Sequence, residues 1–328
     1  MSNQGVVSPV VADIRSGMKR GKVVSLEDAM RVIRDGDTIA VNGFVGYSPE
    51  ELLQGLEDRF LKTGEPKNLT IIVAAGIGDG KEKGVNRLAH DGLVRRVIAG
   101  HWGLIPKMQK LALAGKIEAY NFPQGVITHM YRDIAGHLPR TITHVGLGTF
   151  VDPRLSAGKV NAITTEDLVE RITFDGKEYL AYKTMPVSVV FLRGTTADMD
   201  GNITMEKEPL TLEMLPMAMA AKNSGGIVIA QVERVAERGT LNPRQVKIPG
   251  ILVDCVVVAE KPEYHMQTFI EQYSPAFSGE IKVPMSAIAP MEMSERKIIA
   301  RRAAMELKAN AVVNLGIGMP EGVANVAA

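Results

Sequence analysis

Thr38-Ile39-Ala40-Val41-Asn42-Gly43-Phe44-Val45-Gly46-Tyr47-Ser48-Pro49-Glu50-Glu51 is the stretch that decides the fold. Thr38–Val41 is a short β-branched run, entered through the Asp35-Gly36-Asp37 turn. Asn42–Tyr47 is a glycine-containing loop. Ser48 as N-cap, Pro49 at the first helical position and Glu51 reaching back then predict a helix to about Lys62, stopped by Gly64. Leu69–Ala74 follows as an uninterrupted apolar strand of the kind buried on both faces of a parallel sheet. Strand, loop, helix and strand make a βαβ unit, which crosses over right-handed.

The alternation continues outward from this unit. Ser25-Leu26-Glu27-Asp28 is a capping box opening a helix ahead of the first strand. Val94–Ile98 and Ile117–Tyr120 read as strands, Pro106–Ala114 and Gln124–Ala135 as helices. Val187–Leu192, Ile227–Val232 and Leu252–Ala259 are further strands, with a Met-rich helix over Leu210–Lys222 whose Met214, Met217 and Met219 read as core filler. Leu147–Tyr182 is less regular and reads as an excursion with small strands. Pro262–Pro290 is aperiodic and reads as a linker. The fold class is α/β: an open, mostly parallel sheet with flanking helices.

Val313-Asn314-Leu315-Gly316-Ile317-Gly318-Met319-Pro320-Glu321 repeats the opening loop in shorthand, again after a helix-like run that carries Ala-Met. Lys297–Lys308 reads as a helix and Ala311–Leu315 as a strand. The expected organisation is an extension over 1–21, one unit over 22–290 and the truncated start of a second, similar unit over 291–328.

Composition narrows the function classes. The 328 residues are 45% hydrophobic and 23% charged, ordinary globular material. A net charge of +1 gives no reason to expect nucleic acid or an anionic membrane as a partner. Cys255, the one cysteine, lies in the apolar run Ile251–Val258; it forms no internal disulfide, reads as a buried inert thiol, and fits a reducing, cytoplasmic setting. The six histidines lack metal-ligand spacing, so no metal is expected. There is no G-x-S-x-G elbow, no P-loop and no dinucleotide fingerprint. Glu50, Glu51 and Glu57 read as helix caps or solvated faces.

Glycine loops between a parallel strand's carboxyl end and a helix start can receive a ligand, a negatively charged one above all, because backbone N–H groups point outward there, the helix dipole favours negative charge and missing side chains allow close approach. Asn42–Tyr47, Ala75–Gly80, Gly146–Thr149 and Gly316–Pro320 qualify; taken singly, each glycine also reads as the solution to a turn.

Asp35–Phe44 with Pro49 closing the loop resembles the first signature of the family I coenzyme A transferases. Ala99-Gly100-His101-Trp102-Gly103, Ala119–Gly125, Gly148–Arg154, Asn223–Val228 and Asn314–Glu321 resemble segments of its acetate/propionate branch, in the family's order, over roughly residues 22–328. The resemblance implies a short-chain acyl-CoA:carboxylate CoA-transferase with an α-like half followed by a β-like half. It implies coenzyme A as substrate rather than as a permanently bound cofactor, and acyl-CoA and short-chain carboxylates as partners. It also implies a homo-oligomer, or a partner chain supplying the β-like half. The reaction it implies is ping-pong: a glutamate attacks the thioester, and an acyl-glutamyl anhydride and then a glutamyl-CoA thioester follow. Carried over by match, Gly43, Phe44, Val45 and Gly46 face the acyl and thioester region, Gln124 supplies an amide beside the reacting carboxylate, and Gly316 and Gly318 line the second unit's loop. At most one of Arg95 and Arg96, on opposite strand faces, would meet CoA phosphates; Trp102 reads equally as core or site.

Two departures stand out. Asn42 replaces the first glycine of the signature, and the loop before Pro49 is one residue short. The family's Glu-x-Gly nucleophile segment is expected beyond Ala328, so no catalytic residue is assigned within the chain and Glu321 is not promoted to the role. The alternatives kept are a non-catalytic CoA-binding or α-type subunit, and a lyase or isomerase subunit of related fold.

Overall fold

A computed structural model describes residues 21–287 and 289–327. The extension read over 1–21 therefore lies, Gly21 excepted, outside the described residues. Contacts divide the chain into two compact units, one ending at Ser274 and one starting at Pro275.

In the first unit, helix α1 (Leu26–Arg31) starts where the capping box places it, with Ser25 Oγ accepting from Asp28 N at 3.1 Å. β1 (Thr38–Val41), α2 (Glu50–Thr63), β2 (Leu69–Val73), β3 (Val94–Ala99), α3 (Pro106–Leu113), β4 (Glu118–Asn121) and α4 (Gln124–Ala135) follow. Next come β5 (Arg140–Thr143), β6 (Val169–Phe174), β7 (Lys177–Lys183), β8 (Val189–Asp198), β9 (Ile203–Thr204), α5 (Met214–Asn223), β10 (Ile227–Ala236) and β11 (Cys255–Val258).

The main sheet runs β11-β10-β8-β1-β2-β3-β4, every neighbouring pair parallel, with β9 antiparallel beside β8. Alternate residues feed two cores. Ala40, Ile72, Ile98, Val190 and Val228 face the side covered by α4 and α5; Ile39, Ile71, Val97, Phe191, Ile229 and Cys255 face the side covered by α1, α2 and α3. Helices on both faces explain why β2 and β8 are buried along their whole lengths. The irregular excursion carries a separate antiparallel sheet, β5-β7-β6.

Several local expectations are revised. α2 begins at Glu50, with Pro49 as its N-cap and no side-chain cap bond from Ser48; Ser48 Oγ donates instead to Glu50 Oε2 at 3.0 Å. The free N–H groups are met from across the sheet, by Gln231 Oε1, which accepts from Glu51 N at 2.9 Å. Glu50 and Glu51 are buried, not solvated: Glu50 pairs with Arg87 at 2.5 Å, and Glu51 Oε2 accepts from Glu260 N at 3.0 Å. Glu57 pairs with Arg87 and His90 at 3.1 and 2.8 Å. Met214 and Met217 fill the core, but Met219 is exposed. Part of the stretch read as linker, 262–274, packs into the first unit, burying His265 and Gln267.

The second unit holds the single turn α6 (Pro275–Ser278), helix α7 (Glu295–Ala304) capped by Ser294, and a 3₁₀ turn at Pro320–Val323. Ala311–Leu315 forms no strand there. Val312 and Val313 are exposed, and among the described residues no neighbouring strand meets their backbone hydrogen-bonding groups.

Candidate active site at the carboxyl edge

All seven parallel strands end on one edge, and four successive loops interlock there. Asn42 N makes the last ladder bond, to Phe191 O at 2.9 Å. Gly43 then turns where no side chain fits: a Cβ would lie 2.5 Å from Tyr47 O and 3.0 Å from Ile77. Phe44 and Tyr47 exchange two backbone hydrogen bonds, at 2.9 and 3.0 Å, around Val45-Gly46. Val45 takes φ 52°, a left-handed conformation that glycine ordinarily supplies at that turn position. A β-branched residue there is strained by about 1–3 kcal/mol.

The remaining loops close around this one. Val45 bridges to Ile77, and Gly78 N donates to Val45 O at 3.0 Å. A Cβ on Gly78 would meet Leu104 O at 2.3 Å, so the loop after β2 lies flat against the loop after β3. A Cβ on Gly100 would meet Ala74 O at 2.1 Å and Gln124 Cα at 2.9 Å, which brings the first residue of α4 against the same edge. Phe44, Val45 and Gly46 are half-buried and Gln124 is exposed. The structure thus places Gly43, Phe44, Val45, Gly46 and Gln124 on one edge, linked through the Ala75–Gly80 loop.

Other candidates fall elsewhere. Gly146–Thr149 follows β5 of the small antiparallel sheet, not a parallel strand. Gly316 and Gly318 belong to the second unit, in a segment with no strand before it. Arg96 is held by Glu118 and, at 2.8 Å, by Glu166, while Arg95 is exposed on the opposite strand face. Trp102 packs partly against the α1–α3 side core, its indole N–H buried without a partner. Asn42 is fully buried; its amide N–H points at Met217 Sδ, 3.9 Å away, and its Oδ1 is unpartnered. Cys255 is buried, and burial pushes its thiol well up, out of the nucleophilic range. Among the described residues no group of three His, Cys, Asp or Glu could hold a metal ion.

Behind the glycine loop lies a buried polar cluster that sequence reasoning missed. Arg193 Nε pairs with Glu208 Oε2 at 2.9 Å, with side chains 3% and 1% exposed. The same guanidinium donates to Ser48 O at 3.1 Å, Met266 O at 2.6 Å and His265 O at 3.3 Å, and its Cζ lies 4.7 Å from the Tyr47 ring centroid. Glu208 Oε1 also accepts from Thr195 Oγ1 and contacts His265 Nε2, both at 3.2 Å. Gln231 Nε2 lies 3.0 Å from His265 Nδ1 and donates to Tyr264 O at 2.7 Å, while its Oε1 holds the start of α2. Burial alone pushes Glu208 up, but Arg193 and His265 outweigh it and hold the carboxyl down at about 2. Burial, reinforced by Arg193, lowers His265, so the imidazole is neutral. Burial and the adjacent Glu208 push the Tyr47 phenol well up; its hydroxyl makes no hydrogen bond of ordinary geometry. A cavity of about 90 Å³ beside the cluster has room for a few waters, not for a substrate arm. Together these groups pin residues 47–52, the far side of the glycine loop. Their sequence signal was a polar residue interrupting an apolar run: Arg193 directly after Val189–Leu192 in β8, and Gln231 between Ile227–Ala230 and Val232 in β10.

The family model of coenzyme A transferases matches residues 23–259. The chain belongs to the coenzyme A transferase family. Caffeate CoA-transferase of Acetobacterium woodii is 50% identical over 93% of this chain and 58% of its own. Acetate CoA-transferase YdiF of Escherichia coli K12 is 41% identical over 94% of this chain and 58% of its own. The crystal structure of the acyl-CoA transferase YdiF of E. coli O157:H7, as a thioester complex with CoA, superposes with a TM-score of 0.86 at 40% identity. It covers 93% of this chain and 58% of that one. The chain therefore spans somewhat over half the length of these relatives, and its fold agrees with the α/β reading. Among the described residues no helix is long and apolar enough to cross a membrane.

Proposed function

We propose that this chain builds one half of the cleft of a short-chain acyl-CoA:carboxylate CoA-transferase. The observation that carries the reading is the convergence of the Asn42–Gly46 loop and Gln124 on one carboxyl edge, in a chain 41% identical to an acetate CoA-transferase. The reacting glutamate, with the rest of the cleft, comes from protein outside residues 1–328, on the same polypeptide or on a partner chain. A carboxylate is a weak nucleophile, so its attack on the thioester depends on alignment, exclusion of water and donors for the developing oxyanion. The backbone N–H groups of the glycine loop that its own hydrogen bonds leave free, those of Asn42, Phe44 and Tyr47 being committed, and the Gln124 amide are the donors this chain contributes. Coenzyme A's remote arm supplies binding energy that is realised in the transition state.

The test pairs binding with turnover. The purified chain is titrated with CoA and assayed for CoA exchange between acetyl-CoA and propionate. The expected result is saturable CoA binding that slows amide exchange in residues 43–46, without turnover. No CoA binding refutes the reading. Turnover, or a hydroxylamine-sensitive adduct on Glu321, refutes the placement of the nucleophile.

A further inference from the structure

Two glycines make room for one imidazole at this edge. His101 follows β3, next to Gly100. A Cβ built on Gly76 would lie 2.8 Å from His101 Nδ1 and 2.7 Å from its carbonyl oxygen. A Cβ built on Gly103 would lie 2.9 Å from both Cε1 and Nε2 of the same ring. The ring is therefore walled between two stretches of bare backbone, where any side chain larger than hydrogen would displace it. His101 is nevertheless exposed, and among the described residues neither ring nitrogen has a hydrogen-bond partner. An exposed imidazole on a loop ordinarily samples several rotamers. This one is held in place with its polar atoms uncommitted.

Its neighbours give it a task. Gly100 touches Cα and Cβ of Gln124 at 2.9 and 3.1 Å from its built Cβ, so the imidazole and the Gln124 amide stand at the ends of adjacent parallel strands. Through Gly76 and Gly78 the same backbone reaches Val45. Resting on the proposed CoA-transferase reading, we infer that His101 is a substrate-contacting residue whose ring N–H donates to the carboxylate of the short-chain acid, beside Gln124. A small carboxylate needs one or two donors at one end and little else. The phosphates of CoA call for cationic side chains, and Arg96, the partly buried arginine of this strand, is already held by Glu118 and Glu166.

The experiment uses the full 328-residue chain with ¹⁵N-labelled histidine, saturated with CoA and titrated with sodium propionate at constant ionic strength. The His101 ring signals are expected to move saturably with propionate, while those of His129 and His144 stay still. His101→Ala is expected to weaken propionate binding about tenfold or more, in keeping with loss of a hydrogen bond to a charged group, with CoA affinity within about twofold. His101→Gln, which keeps a donor, is expected to recover part of the loss. Gly103→Ala is a second route, since the three atoms nearest its Cβ all belong to the ring: it should reproduce the His101→Ala pattern with the ring intact. The inference is overturned if CoA shifts the amides of residues 43–46 but propionate leaves the His101 ring unmoved. It is also overturned if propionate and CoA affinities fall together in His101→Ala, which would mark a structural role. If CoA shifts nothing, the transferase reading itself has failed and this inference falls with it.

Discussion

Replacing Arg193 by methionine probes the buried cluster behind the glycine loop. Methionine keeps much of the apolar stem and removes the charge. What it leaves is Glu208, 1% exposed, with no cation beside it, and the carbonyls of Ser48, His265 and Met266 each short of a donor. Removing one partner of a buried ion pair costs about 3–5 kcal/mol, because the other charge stays buried and unpaired. The depressed carboxyl gives an independent figure. From an ordinary value of 4.5 to about 2, the shift corresponds to roughly 3 kcal/mol at neutral pH. The sign of the pH dependence discriminates further. In the native chain Glu208 has a depressed pKa, so its contribution is complete above about pH 4.5 and is lost as pH falls toward 2. His265, also depressed, works in the same direction, losing stability as pH falls below 6.5. In Arg193→Met the Glu208–His265 pair gains stability from taking up one proton, so the deficit should shrink as pH falls from 7 to 5. Urea unfolding followed by circular dichroism at pH 5, 6 and 7 measures this. The expected result is a loss of at least about 3 kcal/mol at pH 7, partly recovered at pH 5, and largely recovered at pH 7 in Arg193→Met/Glu208→Met. A loss under about 1 kcal/mol, or a deficit that grows on acidification, would refute the reasoning.

Three further outcomes are expected. Val45→Gly should stabilise the chain by about 1 kcal/mol, because glycine adopts φ 52° without strain, and a lower melting temperature would contradict the backbone argument. Cys255 should resist a thiol reagent in the native chain and react at the rate of global unfolding; rapid native labelling would show that the buried, up-shifted thiol is misplaced. In an enzyme completed with the second half of the cleft, Gln124→Ala should lower turnover by a factor equivalent to roughly 1–3 kcal/mol while CoA binding changes little. An unchanged rate would remove Gln124 from the chemistry.

Much of the architecture was legible because it is local. The capping box at Ser25, the stop at Gly64, the helix Gln124–Ala135 and the apolar run at Leu69 all act within one turn or one strand, and the structure reproduces them to within a residue or so. The linked glycine segments, with their spacing and order, were enough to point to the family; within them Gly43, Gly100 and Gly226 mark places where the chain passes close to its neighbour. What one-dimensional reading left out is what depends on partners distant in sequence. Glu50 and Glu51 read as surface caps, yet Arg87 and the backbone of Glu260 make burying them tolerable. Ser48 lost the capping role to Gln231, some 180 residues away, because parallel pairing of β1, β8 and β10 brings that amide to the start of α2. Ala311–Leu315 has the composition of a strand but no neighbour to pair with in its own unit, and pairing, not propensity, makes a strand. The strand–helix alternation, the two-faced burial of the central strands and the family could all be read along the chain. The tertiary structure alone decided which polar groups meet at the sheet's edge, because the register of distant strands, and not the spacing of residues along the chain, sets those distances.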